Sequence, residues 1–179
     1  MASVFSHPAI LLGLGPTFAW KGVNSRLWVV GAACSVVPDI DVIGFRYGIP
    51  YGDLLGHRGV THSLAFAAVL ASVLVAALSR SPAWHEKRLA IGVFLFLCTA
   101  SHGFFDAMTN GGLGVAFFAP FDGRRCFLAF RPLEVSPIGT YGFFGPRGAA
   151  ILETELAWVW LPCLALGAAG ALARRLRRR

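Results

Sequence analysis

The residues of this chain that could carry chemistry fall in four groups. Gly-His-Arg-Gly-Val-Thr-His-Ser-Leu at 56–64 sets His57 and His62 five residues apart, with Arg58 beside the first, against an apolar run. His102 and Asp106 are four residues apart; on a helix their side chains share one face and present a nitrogen and an oxygen to one point. Asp39 and Asp41 follow Pro38, which breaks or bends a helix and lets the pair offer up to four carboxylate oxygens. His7 stands near the start of the chain. Histidine and carboxylate together suit a borderline divalent metal, with zinc first and manganese or magnesium as alternatives. The inventory could hold one ion with supporting carboxylates, or two ions about 3.5–4 Å apart. Gly59, between the histidines of the 56–64 stretch, is expected to let the backbone fold both imidazoles inward.

These residues must be positioned by membrane-length elements. Of 179 residues, 56% are hydrophobic and 14% charged, where soluble domains carry roughly a quarter charged. The fold class expected is all-α: one integral membrane domain over 1–179, a polytopic bundle of four to five membrane helices. The apolar runs cover about 4–20, 27–37, 60–78, 89–108 and 150–173. The second has only eleven uninterrupted apolar residues, about 17 Å of helix, so it either continues to about Phe45 with its aspartates facing protein or stops inside the bilayer. Residues 109–150, rich in Gly, Phe and Pro, are too polar for one span and too apolar for a solvated linker. They are expected to form a cap, a lid or a re-entrant segment.

Five of the sixteen basic residues lie at Arg174, Arg175, Arg177, Arg178 and Arg179, directly after an apolar helix. That pattern reads as a cytoplasmic anchor and not as a nucleic-acid surface, in spite of the net charge of +7. With five spans and a cytoplasmic tail the N-terminus lies outside, and ten basic residues face the cytoplasm against six on the other side. His7 then opens the first span, Asp39 and Asp41 close the second, His57 and His62 open the third, and His102 and Asp106 close the fourth. All reach one face, the extracytoplasmic one. His85 falls in a cytoplasmic connection and reads as solvated. The four cysteines lack metal-site spacing and read as small buried hydrophobes.

Each residue also has a plainer reading. His7 could be an interfacial or capping residue, Asp39 a helix-end aspartate, and His102 with Asp106 a hydrogen-bonded pair. Asp53 and Asp122 read as solvated, and Thr61 as a helix N-cap in preference to a nucleophile. Against these stands the cost of an ionisable group at membrane depth, about 2.5–3.5 kcal/mol each. Guanidinium groups match phosphate oxygens, so Arg124, Arg125 and Arg131 are candidates for holding an anionic lipid-like substrate. Arg58 is expected to touch substrate or a metal-bound carboxylate.

Pro-Asp-Ile-Asp (38–41), His-Arg-Gly-Val-Thr-His-Ser (57–63) and His-Gly-Phe-Phe-Asp-Ala-Met-Thr-Asn-Gly-Gly (102–112) resemble the LexA-regulated, membrane-bound metal-dependent hydrolases of bacterial inner membranes. Pro-Phe at 120–121, Arg-Pro at 131–132 and Ser-Pro-Ile-Gly at 136–139 extend the resemblance over most of the chain. A fainter likeness is to zinc-dependent phospholipase C. The resemblance implies a multi-pass inner-membrane protein and metal-dependent hydrolysis, with His7, Asp39, Asp41, His57, His62, His102 and Asp106 as metal candidates. Asp39, Asp41 and Arg58 are then the catalytic candidates, and Asn110 joins Arg58, Arg124, Arg125 and Arg131 as a substrate contact. The expected function is attack of an activated water on an ester or phosphoester of a lipid-like, anionic substrate. The alternative is a non-catalytic metal-binding membrane protein, either a transporter or a metal-stabilised scaffold. No nucleic-acid partner is expected, and the oligomeric state stays open.

Overall fold

The computed structural model describes residues 1–18, 25–78, 82–138 and 143–177. Lys21, Arg80, Gly139, Arg178 and Arg179, which enter the topology and motif expectations above, lie outside the described residues. The described chain is helical throughout its regular elements: α1 (Ile10–Thr17), α2 (Ser25–Val36), α3 (Leu64–Leu78), α4 (Pro82–His85), α5 (Arg88–Ala107), α6 (Pro146–Glu155) and α7 (Leu161–Leu176). The all-α bundle expected from composition is the fold observed.

Among the described residues, three helical stretches are long and apolar enough to cross a membrane: Ser25–Tyr47, Arg88–Ala107 and Arg147–Leu176. The other two expected spans form shorter helices. The first apolar run breaks into an irregular strap at 1–6, a 3₁₀ turn at His7–Ala9 and the eight residues of α1. At 1.5 Å per residue α1 is only about 12 Å long, and its interior Pro16 removes a backbone donor. The α3 helix, fifteen residues long, reaches about 22 Å. The second run resolves in favour of continuation, because α2 passes directly into a 3₁₀ helix over Val37–Tyr47. Pro38, at the start of that coil, cannot donate to the ladder of α2.

Helix α5 is the axis. It packs against α2 and α3, and its first half forms an apolar core with them through Leu27, Cys34, Ala71, Ile91, Phe94, Leu95 and Cys98. Its last turn belongs to a second core, where Phe105 and Met108 meet Ala2, Ala9, Leu133, Val159 and Cys163. Cys34, Cys98 and Cys163 are buried free thiols, and Cys126 is exposed. His85 is exposed, in keeping with its solvated reading.

Residues 108–138 contain no helix among the described residues and form an irregular cap over the end of α5. Backbone bonds tie it down: Asn110 N to Leu133 O, Leu128 N to Ala107 O, Ala116 N to Arg58 O, and Leu64 N to Phe117 O. A π-helical turn over Leu156–Trp160 joins α6 to α7. At its start the buried Glu155 accepts from the Ser3 backbone N–H, from Ser3 Oγ at 2.6 Å and from Ser6 Oγ at 2.7 Å. Trp160 Nε1, at its end, donates to Ser6 Oγ at 2.8 Å. The strap at 1–6 is thus bolted to the end of α6 and to the π turn that follows it.

This anchor yields a test of the fold. Replacing Glu155 with Ala leaves buried donors unpaired at about 1–3 kcal/mol apiece. Thermal unfolding in detergent should show a clearly lowered midpoint for Glu155→Ala, with Glu155→Gln intermediate. An Ala variant that melts like wild type would contradict the anchoring role.

Candidate metal centre

The site is assembled from the 3₁₀ helix after Pro38, the 56–64 loop and the last turn of α5. A 3₁₀ run longer than three or four residues is uncommon; here it turns Asp39 and Asp41 inward while Ile40 faces out. In the loop, Arg58 has φ of +63°, a left-handed conformation that costs about 1–3 kcal/mol for a non-glycine residue. It brings the Arg58 N–H to within 3.2 Å of Asp41 Oδ2 and sends the side chain inward. Gly59 itself has an ordinary φ of −86°. Its small size is needed because a Cβ there would lie 2.1 Å from the Leu54 carbonyl oxygen. Gly59 thus lets the loop fold through its size, while the left-handed residue is Arg58. At Gly103 a Cβ would come 2.8 Å from the His62 carbonyl oxygen, so glycine lets α5 approach the 3₁₀ turn Val60–His62.

Four side chains converge: Asp39, His62, His102 and Asp106, all buried, with one ligand atom from each within 4.8 Å of the others. Asp39 Oδ1 is 3.2 Å from His102 Nε2 and 3.6 Å from His62 Nε2, and Asp106 Oδ2 is 3.5 Å from His62 Nε2. Bonds of about 2.0–2.1 Å in a tetrahedral site place neighbouring ligand atoms about 3.3–3.4 Å apart. The measured edges bracket that value. His62 Nε2, His102 Nε2 and both Asp39 oxygens have no hydrogen-bond partner among the described residues, although buried polar atoms ordinarily find one.

The far side of each imidazole is held. His102 Nδ1 is 2.8 Å from the Ser35 carbonyl oxygen; since a carbonyl only accepts, Nδ1 carries the proton and the Nε2 lone pair faces the cluster. Asp41 performs the same service twice, with Oδ1 2.8 Å from His57 Nδ1 and Oδ2 3.1 Å from His62 Nδ1. Thr61 Oγ1 donates to Asp41 Oδ2 at 2.6 Å. Orienting partners of this kind fix the tautomer of a metal-binding histidine. A second convergent group, Asp41, His57 and His62, shares His62 with the first. His57 Nε2 is buried without a hydrogen-bond partner among the described residues. His7 lies face to face with His102, ring centroids 3.6 Å apart, and its Nε2 is 3.8 Å from Asp106 Oδ1. Every histidine and aspartate expected at the site is thus in or against one cluster.

Arg58 is fully buried and committed to protein. Its Nε donates to Asp106 Oδ2 at 3.0 Å, one terminal nitrogen to Thr109 Oγ1 at 2.9 Å, and the other to the Leu113 and Gly111 carbonyls at 2.8 and 3.2 Å. It touches Asp106, one of the metal candidates, and its guanidinium is not presented to a substrate. With carboxylates ionised and imidazoles neutral, the side chains of Asp39, Asp41, Asp106 and Arg58 sum to −2. A divalent cation would neutralise that sum, and buried charge without compensation is costly.

The remaining substrate candidates are not brought to the site. Arg124 is exposed and pairs with Asp122 at 2.6 Å; its side chain holds the half-buried Asp122 carboxyl below the usual range by hydrogen bonding. Arg131 lies over the Phe127 ring at 4.8 Å. Asn110 bonds Glu134 at 2.9 Å and the Val135 N–H at 3.0 Å. Arg125 clamps the loop from outside, donating to the carbonyls of His57 at 2.9 Å and Asp53 at 2.8 Å. Burial lowers its pKa, and burial raises that of the neighbouring Tyr51. Thr61 is not the N-cap of α3; Ser63 Oγ accepts from Phe66 N at 3.0 Å. Two contributors are invisible to motif reasoning: Glu155, and the Ala2 N–H, which donates to Asp106 Oδ1 at 2.7 Å.

Comparison with known proteins places the chain in context. The family described as YdjM inner membrane protein matches residues 1–177. The inner membrane protein YbcI of Escherichia coli (strain K12) is 36% identical over 168 residues, covering 93% of this chain and 95% of that protein. No solved structure matches.

The orienting geometry of Asp41 can be measured. Asp41→Asn keeps the shape but weakens the hold on His57 and His62, and should lower zinc affinity by about 10–100-fold in an equilibrium titration of the purified protein. Arg124→Ala, at an exposed position, should leave the affinity unchanged. Equal affinity in Asp41→Asn and wild type would refute the orienting role.

Proposed function

This chain belongs to the YdjM inner membrane protein family, and we propose that it is a membrane-embedded, metal-dependent hydrolase of ester or phosphoester bonds in lipid-like substrates. The observation that carries this reading is the set of unpartnered ligand atoms on Asp39, His62 and His102, spaced as the edges of a metal polyhedron and backed by oriented hydrogen bonds. Asp39 Oδ1, His62 Nε2, His102 Nε2 and Asp106 Oδ2 would hold the ion, zinc by the preference of mixed nitrogen and oxygen donors. Such an ion supplies a water nucleophile at neutral pH and a Lewis acid for the scissile group.

The protein's own groups divide the remaining work. Asp41 keeps the His57 and His62 rings in register. Arg58 and the Ala2 N–H fix the two oxygens of Asp106. Asp39 is the carboxylate with a partly open side, as it lines a cavity reaching the surface. Its second oxygen is placed to take the proton of an attacking water. With four protein ligands the tetrahedron is complete, so an attacking water would enter as a fifth ligand from the cavity beside Asp39, the expansion that catalytic zinc sites allow, and that access favours hydrolysis over a metal-stabilised scaffold. Because Arg58 and Arg125 are committed elsewhere and Arg124 and Arg131 stand apart, the positive charge for an anionic substrate falls to the metal. By the distribution of basic residues, the site faces the extracytoplasmic side and the C-terminus the cytoplasm.

The test is a panel of phospholipid and lipid-phosphate esters offered to the purified protein in detergent with zinc. Turnover of at least one member is expected, abolished by chelation and restored by zinc. In Asp39→Asn kcat/KM should fall by about 10²–10⁴-fold with folding intact. Turnover undiminished in Asp39→Asn would overturn the assignment, and stoichiometric metal without turnover of any member would favour the scaffold.

A further inference from the structure

A cavity of about 230 Å³ lies beside Asp39, enclosed by three segments far apart in sequence. Phe5 comes from the N-terminal strap, Val42 from the 3₁₀ helix, and Ile138, Phe143 and Phe144 from the end of the cap and the approach to α6. Val42 is three residues after Asp39, one turn of a 3₁₀ coil, so the two side chains eclipse and line one wall. We propose that this cavity seats a segment of the hydrocarbon chain of a membrane lipid, with the bond to be cleaved lying against Asp39. The proposal rests on the hydrolase reading for its chemistry, but the seat itself can be tested without turnover.

Three observations select hydrocarbon. Asp39 is the one titratable side chain in the lining. The wall's Ser3 hydroxyl is turned away, donating to Glu155. Besides Asp39 the polar contributors are Ser136 and the Met1 main chain, against the three phenylalanines, Val4, Val42, Pro137 and Ile138; a sugar, nucleotide or peptide would need more donors and acceptors than these supply. The volume also falls below the roughly 300–1,000 Å³ of sites that engulf a drug-sized ligand, which fits a chain segment whose remainder stays in the bilayer. The rim is apolar and open: Phe5, Ile138 and Phe144 are 53%, 48% and 77% exposed. In a membrane protein such a rim faces lipid, the class of partner its surroundings supply.

The wall is also built to stay in place. The strap is fixed by Glu155 through Ser3 and Ser6, by Ser136 N donating to Met1 O at 2.9 Å, and by the Ala2 N–H on Asp106. One short segment thereby touches both the candidate metal ligand and the cavity. The other cavities carry less. A larger one of about 760 Å³, lined by Phe104, Phe118, Trp158 and Leu166, holds no histidine or charged side chain, its one titratable group being the Cys163 thiol, and reads as a crevice filled by bulk lipid. A shallow depression over Ala33, Val36 and Ile40 also reaches Asp39, but it covers one helical face and encloses nothing.

The experiment is photolabelling of the full chain in phosphatidylcholine vesicles containing a phosphatidylcholine with a diazirine on its acyl chain, with adducts mapped by peptide mass spectrometry. Adducts are expected on Phe5, Val42, Phe143 or Phe144, and their loss is expected in Val42→Trp, which fills the cavity. Ile138→Trp, at an exposed rim position, provides the same block where the first variant folds poorly. Labelling of these residues that survives both tryptophans, or adducts confined to the Phe104–Trp158 crevice, would overturn the proposal. Metal content separates the two readings. Blockable labelling in a protein without bound metal sustains the lipid seat and sinks the hydrolase, whereas bound metal with unblockable labelling does the reverse.

Discussion

Three carboxylates and one guanidinium share a space from which water is largely excluded, and that excess of negative charge is the constraint around which the protein is built. Asp41, Asp106 and Arg58 expose almost nothing of their side chains. Ionised groups removed from water carry a desolvation penalty of several kcal/mol each, which only partners or a cation repay. Arg58 repays part of it through its bond to Asp106, at the expense of a left-handed backbone. Counted over these four side chains with neutral imidazoles the remaining charge is −2, and the atoms left without hydrogen-bond partners among the described residues, on Asp39, His62 and His102, surround the place where a divalent ion would sit.

The fold serves that cluster by bringing short pieces of many elements to one end of α5. Apolar packing along Ile91, Phe94, Leu95 and Cys98 fixes α5 against α2 and α3, so that His102 and Asp106 arrive at a defined height. From the opposite side the end of α6 holds the strap through Glu155, and the strap in turn donates to Asp106. Helix α6 and the candidate metal ligand are therefore linked by two hydrogen-bonded steps with little slack. Membrane proteins tolerate irregular backbone at depth only where it is buried in protein or lines a cavity. Here the strap, the 56–64 loop and the cap do both.

Much of this was legible in the sequence. Residues that alternately open and close successive helices must meet at one end of the bundle, so the convergence of His7, Asp39, Asp41, His57, His62, His102 and Asp106 followed from counting spans. Division of labour within the set did not. Asp39 and Asp41 are chemically identical, and only the tertiary positions of His57, Thr61 and the Arg58 N–H separate the orienting carboxylate from the open one. Paired arginines at 124 and 125 suggest anion binding by composition; the structure spends one on an exposed ion pair and the other on backbone carbonyls. Glu155 was unreadable because its partners, Ser3 and Ser6, lie some 150 residues away and carry no motif. The available signal was a glutamate, one of two at Glu153 and Glu155, set directly before the apolar run at 156–164, since such a residue is expensive unless it is paired. The first and third spans are shorter than their apolar runs because the strap with its 3₁₀ turn at His7–Ala9 and the turn at Val60–His62 take residues out of the α-helix.

The central claim is that a divalent ion closes the charge deficit among Asp39, His62, His102 and Asp106. Crystals of the protein grown with zinc and recorded on both sides of the zinc absorption edge test it most directly. The account predicts an anomalous difference peak about 2.0–2.2 Å from Asp39 Oδ1, His62 Nε2, His102 Nε2 and Asp106 Oδ2. A cluster with no such peak, its nitrogens and oxygens joined instead by hydrogen bonds through protonated imidazoles, would contradict it.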